Sequence, residues 1–437
     1  MTQSPSSEKK SFDYLPVGKL SSYTYLFRSN KQFTRLWTAS IISQLGNWFN
    51  YIAIFVMLTK LTGSGQAVSW FLIAKFIPTT IFGPAAGVFA DRFSRKTIMI
   101  TCDVLRIFIV LGFLLVKKPE HVWIVYTLAL IQESVWSFYD PARRASIPNL
   151  CKPEELNLAN ALGGATWSLM LAIGAALGGF VTALLGWEAA IIIDACTFII
   201  SAFILRKLVL PHPAAPKIIY PTWKDFTGLN EMIEGSKYIA GHRNVGALML
   251  VKSGWALSGG VLVLLTYFGE QVFSQEATGR GSGILYSVRG VGAAIGPLLA
   301  WRLLGETRHA MYRAIGLSFF VAAGSYLLFS KAPSLLWAAP FVFAGHLGGS
   351  VQWVFSTNLL QRMVPDQFRG RVFAAEMALL TLILSLSTYF TGMALDTGMD
   401  PRLVASRLAL LFIVPGTMWT IYVFATRLWL KDQSIST

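Results

Sequence analysis

Apolar residues run along this chain in long unbroken blocks rather than in alternation. Twelve blocks approach the roughly 20 apolar residues an α-helix needs to cross a bilayer. They cover 36–59, 66–90, 97–116, 122–140, 160–185, 188–205, 245–268, 281–301, 314–330, 334–356, 373–395 and 403–426. No stretch alternates like the strands of an outer-membrane barrel, which argues against that architecture. The widest polar interval, 206–244, holds Pro211, Pro213, Pro216 and Pro221, then an amphipathic stretch from Trp223 to Tyr238. The pattern predicts an all-α membrane protein with twelve transmembrane helices in two pseudo-symmetric six-helix bundles. The bundles cover 36–205 and 245–427. A cytoplasmic segment 1–35 precedes them, a cytoplasmic linker 206–244 with an amphipathic helix joins them, and a cytoplasmic tail 428–437 follows.

Two segment pairs recur about half a chain apart. FIPTTIFGP (76–84) is echoed by VRGVGAAIGP (288–297), and RASIPNLCKPEELNLANAL (144–162) by QRMVPDQFRGRVFAAEMAL (361–379). Pro148 falls on Pro365 in the second pair. Internal symmetry of this kind marks two-bundle transporters with the substrate site between the halves near midplane.

Composition agrees. Of 437 residues, 54% are hydrophobic and only 14% charged, against about 25% charged in soluble domains. The net charge of +15 comes from 37 Lys/Arg and 22 Asp/Glu. With the N-terminus set in the cytoplasm, 26 basic residues fall on the inner side and 7 in outer loops. This bias fixes orientation by the positive-inside rule. It predicts both termini inside and accounts for the basic balance without nucleic acid. Three cysteines, Cys102, Cys151 and Cys196, do not make a disulfide framework. The polar opening MTQSPSSEKK does not read as a signal peptide.

Residues 87–96 read GVFADRFSRK. This resembles the loop 2–3 signature of the major facilitator superfamily, with Gly87, Asp91, Arg92, Arg95 and Lys96 at the signature positions. The phrases DPARRASIP (140–148), NLANAL (157–162), IDACTFIISA (193–202) and VPDQFRGRVFA (364–374) are similar to the exporter branch that contains the enterobactin and macrolide efflux proteins. Span five departs from the exporter pattern: it reads GAALGG (174–179), with Ala175 where proline is usual. Close glycine packing is retained and a proline kink is not. The resemblance implies two bundles that rock about a central cavity. It also implies a cytoplasmic gate in which Asp91 sits on the N-terminal end of span eleven, near Arg371. The helix dipole favours a carboxylate there by roughly 0.3–1 kcal/mol. Gly83 and Gly87 share one helical face and allow close approach of a neighbouring helix. Arg92, Arg95 and Lys96 either pair with acids at the gate or anchor the loop.

An ionisable group at the centre of a span costs about 2.5–3.5 kcal/mol on insertion scales and needs a reason. Asp103 and Arg106 share a helix face and pair locally, as a structural or gating pair. Glu133 has no basic partner on its own helix, and Asp194 lies within span six. A buried carboxylate can carry a proton across neutral pH, so Glu133 and Asp194, with Asp103 and Arg106, are the proton-coupling candidates. Lys75, Lys252 and Arg289 are candidates for the substrate cavity; they either pair with Glu133 and Asp194 or bind an acidic substrate. Trp167, Trp255 and Trp353 are aromatic cavity candidates, with Trp48, Phe49 and Tyr51 also placed deep. His346 sits among small residues and reads as a packing histidine; Glu376 opens span eleven.

There is no nucleotide-binding G-x-x-x-x-G-K-[ST] and no Cys/His cluster suited to a metal. No catalytic set is evident, so the chain does not read as an enzyme. The expectation is a secondary transporter of the cell inner membrane, monomeric and free of cofactors. It exports amphiphilic drugs or siderophores against protons. A lipid or lysolipid flippase on the same fold, or a membrane sensor or scaffold that does not transport, are the alternatives.

Overall fold

A computed structural model describes residues 20–210, 229–273, 278–305 and 307–426. The elements are α1 (Leu20–Ser29), α2 (Lys31–Thr62), α3 (Gly65–Arg92), α4 (Arg95–Gly112), α5 (Val122–Leu150), α6 (Pro153–Leu169), α7 (Ala175–Leu185), α8 (Trp187–Arg206), α9 (Leu229–Gly241), α10 (Arg243–Ala256), α11 (Val261–Tyr267), α12 (Arg280–Leu304), α13 (Arg308–Ser330), α14 (Leu335–Met363), α15 (Asp366–Asp396), α16 (Pro401–Leu411) and α17 (Ile413–Ala425). The pairs α6/α7, α10/α11 and α16/α17 each continue one rod, so twelve rods stand where the twelve apolar blocks lie. Among the described residues, nine helical stretches are long and apolar enough to cross a membrane.

The two halves pack alike. α5 lies against α3 and α4, as α14 lies against α12 and α13; α8 lies against α4 as α16 and α17 lie against α13. Between halves, α3 meets α15 and the α6/α7 rod meets α12. These two contacts exchange places under a two-fold axis, the geometry the internal repeat predicts.

We call the face bearing α1 and α9 proximal and the opposite face distal. Distal contacts between the halves are tight. Ser64 Oγ and the Gly65 N–H donate to Asp396 at 2.5 and 2.7 Å, a carboxylate of one half on the helix N-terminus of the other. Ser69 Oγ donates to the Thr388 carbonyl at 2.7 Å, and Trp70 packs on Tyr389. A Cβ on Gly179 would lie 2.8 Å from Gly283 Cα, so only glycine lets α7 and α12 approach this closely. On the proximal half the picture reverses: a Cβ on Gly83, Gly163 or Gly164 would meet nothing within 4 Å. The halves are closed at the distal face and open toward the proximal one.

Several helix ends depart from the sequence reading. α1 forms within the segment read as polar, burying Leu26. α5 runs through Pro141 and Pro148, past the end of its apolar block at 140. α13 starts at Arg308 and α15 at Asp366, ahead of the apolar blocks, because a helix continues past the hydrocarbon wherever its polar turns stay solvated. Where span five lacks its proline, a π-turn over Met170–Gly174 interrupts the rod instead, and a Cβ on Gly290 would press on the Ala172 and Leu171 backbone there. A second π-turn, Phe268–Val272, aims Glu270 at the start of α12, where it accepts from the Gly279 and Ser282 N–H groups at 2.7 and 2.8 Å. Of the linker, α9 is described; Pro211, Pro213, Pro216, Pro221 and Trp223 lie outside the described residues, as does the tail 428–437.

Candidate functional site

The open side of α3 carries Lys75, one turn before Pro78. Its ammonium meets Glu133 of α5 at 2.9 Å, with both side chains 15% exposed. The same ammonium stands over the Tyr51 ring at 5.5 Å and the Phe71 ring at 5.8 Å. Tyr51 packs edge-on against Tyr286 of the other half, and Trp48 packs beside both. An ion pair with an aromatic wall from both halves thus sits where the bundles meet. Glu133, which has no basic neighbour on its own helix, finds its partner across the α3–α5 contact.

A second charged group is sealed. Asp103 and Arg106 of α4 form an ion pair with side chains 0% and 1% exposed. Asp103 also accepts from Ser201 Oγ of α8 at 2.7 Å. The guanidinium lies over Tyr139 and Phe198 at 4.5 and 4.4 Å and near Trp136 at 5.3 Å. Cation–π contacts in a dry setting are worth about 2 kcal/mol or more. Asp194, also buried, accepts weakly from Thr197 Oγ1 at 3.4 Å. Its Oδ2 has no hydrogen-bond partner among the described residues.

The second half holds its own pairs. Lys252 of α10 meets Glu376 of α15 at 2.7 Å, both buried, and covers the Trp353 and Phe373 rings at 4.8 and 5.6 Å. Lys252 therefore pairs with neither Glu133 nor Asp194: the α10–α15 contact supplies a nearer acid. Arg289 of α12 donates from Nε to His346 Nε2 at 2.7 Å. That bond leaves His346 Nδ1 to carry the proton toward the Tyr326 hydroxyl, 2.5 Å away. His346 is buried and hydrogen-bonded on both ring nitrogens, to Arg289 and Tyr326.

The aromatic candidates are dispersed. Trp353 lies against Lys252, Trp255 packs at Gly349, and Trp167 is 59% exposed with no contact to the charged groups above. Tyr286 and Tyr326, which sequence reading missed, are nearer to them. Nothing in the local pattern marks these tyrosines; their roles come from which helices meet.

At the loop signature, the backbone of Gly87 and Asp91 lies in the last turns of α3, and their side chains lie outside the described residues. Arg92 closes α3. Arg95 donates to the Ala90 and Ala145 carbonyls at 3.1 and 2.5 Å, and Lys96 to the Arg206 carbonyl at 2.7 Å. The second of these is a cation at a helix C-terminus. Both cations bind carbonyls and tie the loop to α5 and α8. Gly83, expected at a close helix approach, faces open space because the proximal ends are apart. Arg371 does not mark the start of α15. It lies inside that helix and binds Glu234 of α9 at 2.6 Å, while Tyr238 of α9 stacks on Phe368 at 4.5 Å. Asp140, with Arg143 at 2.7 Å and Arg144 at 2.6 Å, is a further proximal cluster, legible from its helical spacing in DPARR.

No group of three or more His, Cys, Asp or Glu among the described residues is arranged to hold a metal. The model of the Major Facilitator Superfamily matches residues 36–388. An uncharacterized MFS-type transporter of Bacillus subtilis is 24% identical to this chain over 82% of it and 85% of that protein. Macrolide efflux protein A of Streptococcus pyogenes is 24% identical over 84% of this chain and 89% of its own. Among solved structures, a bacterial homologue of the iron transporter ferroportin in an inward-facing state is similar with a TM-score of 0.64 at 16% identity. That likeness covers 89% of this chain and 98% of the other, and concerns the fold alone.

Proposed function

Because this chain belongs to the Major Facilitator Superfamily, a family of multi-pass membrane transporters, we propose that it exports amphiphilic small molecules of drug or siderophore type. On this reading it works by alternating access, driven by protons entering in exchange. It sits in the cell inner membrane with both termini and the proximal face in the cytoplasm. It acts as a monomer, without cofactor, enzymatic step or nucleic acid. Similarity to a macrolide efflux protein supports the direction of transport.

The observation that carries the coupling mechanism is the Lys75–Glu133 pair at 2.9 Å, partly exposed on the open side. Glu133 has two exclusive states. Deprotonated, it holds Lys75; protonated, it lets the ammonium go. The proximal-open form with the pair closed is then the state that has delivered its proton to the cytoplasm. An amphiphile seated on Tyr51 and Trp48 next to this pair couples its own binding to that exchange. Asp194 and Asp103 are sealed from the open side and serve the fold.

Uptake of a fluorescent cationic drug and of a macrolide into inverted membrane vesicles tests this. Accumulation is expected with a pH gradient and is expected to vanish with a protonophore or in Glu133→Gln. Accumulation that survives both treatments would contradict proton coupling. Loss in Asp194→Asn with full activity in Glu133→Gln would move the coupling to Asp194.

A further inference from the structure

The outer wall of the second half has a feature that transport does not use. Between α13 and α17 lies a groove of about 320 Å³. Leu317, Phe320, Trp419 and Phe424 line it, and Arg313 stands at its edge. Beneath it the buried Gly316 lets α17 sit close, since a Cβ there would stand 3.0 Å from Thr420 Oγ1 and 3.4 Å from Trp419 Cδ1. The surroundings are an apolar outer surface: Leu317, Val321, Met418, Ile421 and Phe424 are all exposed. In a membrane protein such a stripe faces acyl chains.

Arg313 is the exception on this wall. It is exposed, and among the described residues no carboxylate pairs with it. Placed on a loop by the sequence pattern, it lies five residues inside α13, about 7–8 Å from the helix start at 1.5 Å per residue. A long cationic side chain at that depth reaches the headgroup layer by snorkelling. Arg302 and Arg308 lie at the same membrane face, so the local field favours an anion.

We propose that this groove is a binding site for one anionic phospholipid, with an acyl chain against its exposed apolar walls and the phosphate on Arg313. The charge selects the headgroup, and the exposed apolar side chains of Leu317, Phe320 and Phe424 take the chain. The site lies on the outer surface of one bundle, so it stands whatever the coupling ion or the exported compound.

The test is native mass spectrometry of the delipidated full chain, titrated with phosphatidylglycerol or phosphatidylcholine of identical acyl chains. Phosphatidylglycerol is expected to be retained about fivefold more strongly, the scale of one basic residue near a lipid phosphate. Arg313→Gln should bring the two lipids level. Phe424→Ala, which removes one exposed wall, should lower retention of both while elution stays monodisperse. Equal retention of the two lipids by the unaltered chain, or unchanged selectivity in Arg313→Gln, overturns the proposal. A dimer that Phe424→Ala dissociates would assign the groove to a second copy of the chain and also overturns it.

Discussion

Two ion pairs of similar composition have different consequences because their surroundings differ. Asp103–Arg106 is dry, caged by three aromatic rings and tied to α8 through Ser201. Removing one member strands a buried charge, at about 3–5 kcal/mol. Asp103→Ala is therefore expected to lower the thermal unfolding midpoint in detergent sharply, and unaltered melting would contradict its structural role. Lys75–Glu133 is partly open, so neutralising Glu133 leaves an ammonium that water and aromatic faces still accommodate. Glu133→Gln is expected to melt close to the unaltered protein and yet to lose proton-driven uptake. The sequence named all four residues and paired the two that share a helix, but left Lys75 with two possible acids, Glu133 and Asp194, or an acidic substrate. Spacing along one helix is readable in one dimension; the α3–α5 and α10–α15 pairings depend on helix rotation and were not. For the same reason Tyr286, Tyr326 and Asp396 carried no signal, their partners being on distant helices.

At the scale of elements, the apolar blocks located every rod, since bilayer thickness alone sets their length. Their ends were less legible, because polar turns continue α5, α13, α14 and α15 beyond the hydrocarbon. The two π-turns had no sequence signature beyond the glycines beside them. Each turn is matched to a close approach, Gly290 at Leu171–Ala172 and Gly281 at Gly269; π-bulges of this kind concentrate at functional positions. The α7–α12 crossing depends on Gly179 and Gly283 meeting without side chains. Gly179→Leu is expected to wedge the distal face apart. Spin labels at Lys60 and Thr397 would report this as a population at longer distance, and an unchanged distribution would show that the crossing does not hold the halves together.

For the whole molecule, the two-fold relation places α3–α15 and α7–α12 as the two seams between the bundles. The distal seam is latched by Asp396 on the first N–H groups of α3. An exposed carboxylate at a helix N-terminus contributes modestly, so Asp396→Asn is expected to shift the open-to-closed ratio of the distal face roughly two- to fivefold. The same spin-label pair reads that shift, and no shift would remove the latch from the account. On the proximal face, α9 holds α15 through Glu234–Arg371 and Tyr238–Phe368 while the α3 end stands apart. Closing that face brings the Asp91 turn toward α15 if the gate implied by the loop signature operates. The central claim is that substrate and proton exchange through Glu133. Its most direct measurement uses purified protein in liposomes that trap a pH-sensitive dye, with an outwardly imposed gradient of a transported macrolide or siderophore and the membrane potential clamped. The account predicts proton movement opposite to the compound, in fixed proportion to it, and absent in Glu133→Gln. Compound flux with no proton movement, or proton movement undiminished in Glu133→Gln, would contradict it.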